Sequence, residues 1–180
     1  MAATAAEGRQ LKIVATSFPH YDWTREVLGE RLAETDLVLL QQSGVDLHSY
    51  SPSAADLRQI AACDLFVFVG GESDEWTERA LAQKGNPRRR ILNLVKTLGS
   101  AAKEEKIVEG MVDELQLPVI LVIEGTRHKI AETVKRTTKT KGQRILTLDS
   151  LQSTGGEAAK TTRYLDVMTR NLETLKAALN

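Results

Sequence analysis

The chain has 180 residues, 42% of them apolar and 27% charged, which supplies a buried core and excludes wholesale disorder. Its 24 basic and 24 acidic residues cancel, so neither nucleic acid nor a membrane surface is indicated as a general partner. The single cysteine, Cys63, excludes an intrachain disulfide, and no apolar run reaches the roughly 18 residues of a membrane-inserted helix.

Residues 1–8 lack a charged segment followed by a long apolar one, so no signal peptide is read in this chain. Residues 11–16 (LKIVAT) are short, β-branched and apolar, and predict a buried strand. Ser17-Phe18-Pro19 breaks it. A helix over 22–32 follows from the spacing of Trp23, Val27 and Leu28, with Asp22 as its N-cap. Residues 37–40 predict a second strand and 41–50 a polar loop. Ser51-Pro52-Ser53 opens the next helix: proline suits a first turn, Ser53 and Asp56 form a capping box, and Leu57, Ile60 and Ala61 face inward. Residues 65–69 predict a third strand, preceded by Cys63 as a buried structural thiol and closed by Gly70-Gly71. A helix over 75–83, a solvated turn at Arg88-Arg89-Arg90 and a fourth strand over 91–95 complete this part.

The second part begins near Ser100. Ile107, Val108, Met111, Val112 and Leu115 have the spacing of an amphipathic helix over 103–117, and Pro118 stops it. Strands are predicted over 119–123 and 145–148, with a helix over 129–138 between them and a loop at 154–156. A last helix over 162–179 carries Leu165, Met168, Leu172, Leu175 and Leu179 as its core stripe. Strands that are continuous apolar runs, alternating with helices, predict an α/β fold: a doubly wound, mostly parallel sheet with helices on both faces.

Ligands in such folds sit at the carboxyl ends of strands. That rule selects loops 17–22, 41–50, 70–75, 124–128 and 149–153, which hold all three histidines, His20, His48 and His128. Asp22, Asp46, Glu72, Asp74, Glu75, Glu124 and Asp149 lie there too. Imidazole nitrogen with carboxylate oxygen suits zinc or manganese, although short polar residues gather in loops in any protein. Gly70-Gly71 belongs to no phosphate-binding glycine pattern and reads as a turn. Ser43, Ser49 and Ser51 near His48 lack the G-x-S-x-G elbow of a hydrolase, and the chain is not read as an enzyme. Trp23 and Trp76 read as packing residues near helix starts.

The run Ser43-Gly44-Val45-Asp46-Leu47-His48-Ser49-Tyr50-Ser51-Pro52-Ser53-Ala54-Ala55-Asp56 resembles the G-x-x-x-H-x-Y-x-P-S-x-x-D segment of the ZnuA/TroA-like metal-binding receptors of ABC transporters. The strand running into Phe18-Pro19-His20-Tyr21-Asp22-Trp23 is similar to the family's mature start. Leu117-Pro118-Val119-Ile120 through Ile145-Leu146-Thr147-Leu148-Asp149-Ser150, then Tyr164 to Met168 and Asn171-Leu172, resemble its last third. The resemblance implies His48 as first metal ligand and Asp149 as fourth, zinc (alternatively manganese) as the cargo, an extracytoplasmic location in the periplasm or at the cell surface, and an ABC permease as partner.

The family's second and third ligand motifs, its linker helix and the early part of its second lobe have no counterpart here, and the join falls near Gly110. The implied organisation is an N-terminal lobe, 1–110, and a remnant of the C-terminal lobe, 111–180, packed on or continuous with the first. Two strands do not make an independent lobe; they are expected to extend the first sheet, or to pair in a domain-swapped homodimer. His20, His128 and Glu124 are the spare donors for a makeshift site around His48 and Asp149. The alternative is a shortened or engineered α/β scaffold without tight metal binding.

Overall fold

The computed structural model describes residues 9–41, 50–71, 74–101, 116–125, 128–139 and 141–179. Strands β1 (Leu11–Ala15), β2 (Thr35–Leu39), β3 (Leu65–Phe68) and β4 (Arg90–Asn93) form one parallel sheet in the order β2-β1-β3-β4. β1 is central, and Ile13, Val14 and Ala15 are buried whichever face they point to. That burial is why the strand reads as an unbroken apolar run. Helices α1 (Phe18–Leu28), α2 (Ala54–Ala62), α3 (Trp76–Ala82) and α4 (Leu94–Leu98) connect or follow these strands. On one side Val14, Ile60, Phe66, Phe68 and Trp76 form the main core. Phe66 stacks on Phe68 with centroids 5.2 Å apart and meets Trp76 edge-on at 6.4 Å, geometries that suit the ring quadrupoles.

The capping box of α2 is present: Asp56 N–H donates to Ser53 Oγ at 3.2 Å and Ser53 N–H donates to the Asp56 carboxylate at 2.8 Å. Cys63 is fully buried, and burial pushes its thiol up to about 11, so it is inert. α1 starts earlier than expected. Pro19 sits in the first helical turn rather than ending the strand region, where its missing N–H costs nothing; Ser17, not Asp22, is the capping position. The arginine triplet is only partly solvated. Arg89 donates to Ile60 O and Leu81 O, both at 3.1 Å, closing the last turns of α2 and α3. The predicted fourth strand is shorter, because Asn93 caps α4 by accepting from Lys96 N–H at 2.9 Å.

Gly70 (φ +89°) packs so tightly that an added Cβ would lie 2.5 Å from Asn93 Oδ1, whereas Gly71 (φ +82°) has open space. Gly70→Ala is expected to cost about 2–3 kcal/mol and Gly71→Ala about 1 kcal/mol, read from urea midpoints. Equal losses would mean that backbone strain alone, without the Asn93 contact, sets the cost.

Strands β5 (Val119–Ile123) and β6 (Arg144–Leu148) pair in parallel with each other and do not extend the first sheet. A two-stranded sheet needs more strands or a helix against it. Here α7 (Tyr164–Leu179) packs on β6 and α5 (Lys129–Thr137) on β5. The short helix α6 (Gly156–Thr161) precedes α7. A second core of Phe18, Leu151, Ala159 and Val167, with Tyr21, Leu39, Tyr164 and Met168 against it, joins this part to α1 and β2. The expected stripe of α7 holds only in part: Met168 packs against the second core and Leu175 is half-buried, but Leu165 is 74% exposed, Leu172 51% and Leu179 85%, while Val167 is buried. The inner face also carries a polar residue, Asn171, which bonds the Asp149 backbone. The predicted helix over 103–117 lies mostly outside the described residues.

Arg25 and Asp22 clasp the same seam. Both are buried in α1 and ion-paired with each other. Arg25 also donates to Ala159 O (2.9 Å), Lys160 O (3.1 Å) and Thr162 O (2.6 Å), at the carboxyl end of α6. Asp22 accepts from Tyr164 N–H at 2.6 Å, at the amino end of α7. Each charge therefore meets the helix end that its sign favours.

Candidate functional site

The strand order changes direction at β1, with β2 on one side and β3 on the other, and a crevice is expected at the carboxyl ends there. A cavity of about 380 Å³ lies in that place. Ser17 and His20 follow β1, Gln41 follows β2, Val69 follows β3, and Leu94, Val95 and Leu98 follow β4. Ser150, Leu151 and Gln152 follow β6 and close the other side, and Trp23 and Pro19 complete a largely apolar wall. Gln41 bridges the two parts by donating to Gln152 O at 3.4 Å.

His20 stands in the first turn of α1 with 3% of its surface exposed. Its Nδ1 is 2.7 Å from Ser17 Oγ, and the Trp23 ring meets it edge-on at 5.7 Å. Burial lowers its pKa to about 4, so the imidazole is neutral at physiological pH. In the tautomer whose Nδ1–H donates to Ser17, Nε2 keeps its lone pair for a ligand.

The loop 149–153 is held rigidly. Asn171 Oδ1 accepts from Asp149 N–H at 2.9 Å and Asn171 Nδ2 donates to Asp149 O at 2.8 Å. Glu124 accepts from Ser150 N–H (2.5 Å), Ser150 Oγ (2.9 Å) and Ser153 N–H (3.4 Å). Asp149 Oδ1 accepts from Leu151 N–H at 2.9 Å. Leu151 has φ +64° and a side chain buried in the second core. Residues held in such sparsely populated backbone regions concentrate at functional loops.

The cavity is lined by His20 and by Ser150, Leu151 and Gln152, the residues directly after Asp149; Asp149 itself is not among the residues that line it. His128 does not join them; it precedes α5 and lines a separate depression with Lys129, Glu132 and Arg136. Both Glu124 oxygens are committed to the 149–153 loop. Asp22 belongs to the clasp, and Asp74 is buried under Gly70, whose N–H it accepts at 2.9 Å. Burial raises the Asp74 pKa. His48, Asp46 and Glu72 lie outside the described residues. Among the described residues no three His, Cys, Asp or Glu side chains group to hold a metal, and no described helix is long and apolar enough to cross a membrane. The sequence reading missed Asn171, Arg25 and Ser17. A polar Asn on the apolar face of α7, and Asp22 with Arg25 one helical turn apart, were the available signals.

The sequence profile described as "ZnuA: Zinc-uptake complex component A periplasmic" matches this chain in two overlapping segments, residues 13–110 and 97–178. The zinc-binding protein AdcA of Streptococcus pyogenes serotype M1 is 32% identical over 71 residues, 39% of this chain and 13% of that protein. The high-affinity zinc uptake system protein ZnuA of Bacillus subtilis (strain 168) is 27% identical over 109 residues, 61% of this chain and 31% of that protein. The chain thus spans a minor part of the length of these curated relatives. The crystal structure of the Zn(II)-bound ZnuA-like domain of Streptococcus pneumoniae AdcA superposes with a TM-score of 0.61 at 16% identity, covering 94% of this chain and 99% of that one, and shows the same fold.

Proposed function

This chain belongs to the zinc-uptake complex component A (ZnuA) family, and from that premise we propose that it binds a divalent transition metal outside the cytoplasm for delivery to the permease of an ABC importer. Zinc is the favoured ion because the sequence relatives above carry zinc in their names; manganese is the alternative. The ligands we assign are Asp149 and His48, with His20 as the neighbouring nitrogen donor. The observation that carries this reading is that His20 and residues 150–152, which directly follow Asp149, line one cavity at the carboxyl ends of β1 and β6. Residues 1–110 serve as the first lobe and 111–180 as a second-lobe remnant packed on it.

Zinc in a tight site takes four ligands. The assigned set of Asp149, His48 and His20 falls short of four, so we infer weak binding completed by water; the second reading is an α/β scaffold without tight metal binding. Calorimetric zinc titration separates the two. On the first reading, Asp149→Asn and His48→Ala each weaken zinc binding by about 10- to 100-fold, and His20→Ala weakens it by a smaller factor. Affinity unchanged in both Asp149→Asn and His48→Ala would leave the scaffold reading standing.

A further inference from the structure

We propose that Glu124 and Asn171 are positioning residues that hold the Asp149 carboxylate for the metal, an inference resting on the metal-binding reading above. A carboxylate ligand is useful only if its Cα–Cβ direction is fixed, because each free rotation must be frozen on binding. Asn171 fixes that direction from the side of α7. One amide group takes both the N–H and the C=O of Asp149, at 2.9 and 2.8 Å, so the peptide planes on either side of residue 149 cannot rotate independently. Glu124 fixes the next residues from the end of β5. Its two oxygens accept from Ser150 N–H, Ser150 Oγ and Ser153 N–H.

Leu151 supplies the third anchor, since its side chain is buried in the second core while its backbone sits at φ +64°. That conformation disfavours a non-glycine residue by about 1 kcal/mol or more and persists because the flanking bonds hold it. The Asp149 carboxylate is left with Oδ1 bonded to Leu151 N–H and, among the described residues, no protein donor on Oδ2. A carboxylate with one oxygen free of described donors, on a backbone gripped from two elements, has the form of a prepared ligand. Glu124 serves this arrangement as an acceptor for the loop, and its oxygens are spent on that task.

The test is a double-mutant cycle read by zinc titration with a competing chelator, with the Co(II) visible spectrum as a second readout. Asn171→Ala is expected to weaken zinc binding about tenfold in the otherwise natural chain. In the Asp149→Asn background the same change is expected to weaken it no further, because the carboxylate it orients is gone. A generally structural role would weaken binding in both backgrounds. Glu124→Gln, which keeps the side chain's shape and weakens its acceptor set, is expected to repeat the pattern and to perturb the Co(II) bands in the natural chain only. Melting curves without metal show that each variant folds; if Asn171→Ala does not fold, Glu124→Gln carries the cycle. Additive losses, or no loss in either variant while Asp149→Asn still weakens binding, would overturn the positioning role alone. No weakening in Asp149→Asn would overturn both the ligand assignment and this inference.

Discussion

Arg25→Ala is expected to lower the free energy of unfolding by about 3–5 kcal/mol, the range for removing one partner of a buried ion pair. The arginine is buried and donates to the Asp22 carboxylate and to the carbonyls of Ala159, Lys160 and Thr162. Alanine would leave the Asp22 charge buried with only the Tyr164 N–H at 2.6 Å and a distant Arg163 at 3.8 Å. It would also take the Arg25 donor from the carbonyl of buried Ala159, a further desolvation penalty. These bonds span about 140 residues of sequence and join the two parts of the chain, so their loss is felt globally. Arg25→Lys is expected to recover only part of the loss, because one ammonium cannot reproduce the planar fork that meets several acceptors at once. Urea unfolding at neutral pH measures both. A loss below about 1 kcal/mol for Arg25→Ala, the range of an exposed pair, would show that the clasp does not hold the seam.

The parallel strands were legible as short apolar runs: 119–123 is predicted and found as β5, and the other strands shift by one or two residues at their ends. Burial on both faces accounts for the run in β1 and β3, whereas β5 leaves Leu121 and Ile123 exposed. The capping box of α2 was legible because it is local, needing only Ser53 and Asp56 three positions apart. The errors share one physical cause, contact between residues distant in sequence. Leu165, Leu172 and Leu179 repeat every seven residues and look like a core stripe with Met168, yet the seam keeps only Met168 of these four and adds Tyr164, Val167 and Asn171. Arg89 looks like one charge of a solvated triplet until the ends of α2 and α3 are seen to converge on it. The pairing of β5 with β6 alone was hidden because sequence does not show that α5 and α7 cover them. At the site, the strand-end rule selected the loops 17–22 and 149–153, and the structure places His20 of the first and residues 150–152 of the second at one cavity. It gave no means of telling Glu124, whose oxygens serve the loop, from a free donor, and it did not separate His128 from the cavity.

Protonation of His20 gives the second large effect. In the folded chain its imidazole titrates at about 4 because burial disfavours the cation; in the unfolded chain it titrates near 6.5. Between those values the unfolded state binds the proton and the native state does not, so stability falls as pH drops from about 6.5 to 4. Above about 6.5 the group contributes nothing to the pH dependence. The separation corresponds to about 3 kcal/mol across the window. His20→Gln removes the titration while retaining a polar partner for Ser17 Oγ, 2.7 Å from Nδ1 in the natural chain. The carboxylates are common to both proteins, so the difference between their stability–pH curves isolates the histidine. The expected result is a natural chain that loses about 3 kcal/mol more than His20→Gln between pH 7 and pH 4. The same proton affinity bears on metal binding: an imidazole that stays neutral down to about pH 4 offers its nitrogen where an exposed histidine is already protonated. His20 is therefore expected to contribute to zinc affinity at pH 5 as it does at pH 7. Parallel stability curves for the two proteins would mean that His20 is hydrated in the native state, which would remove the basis for its neutral, ligand-ready form.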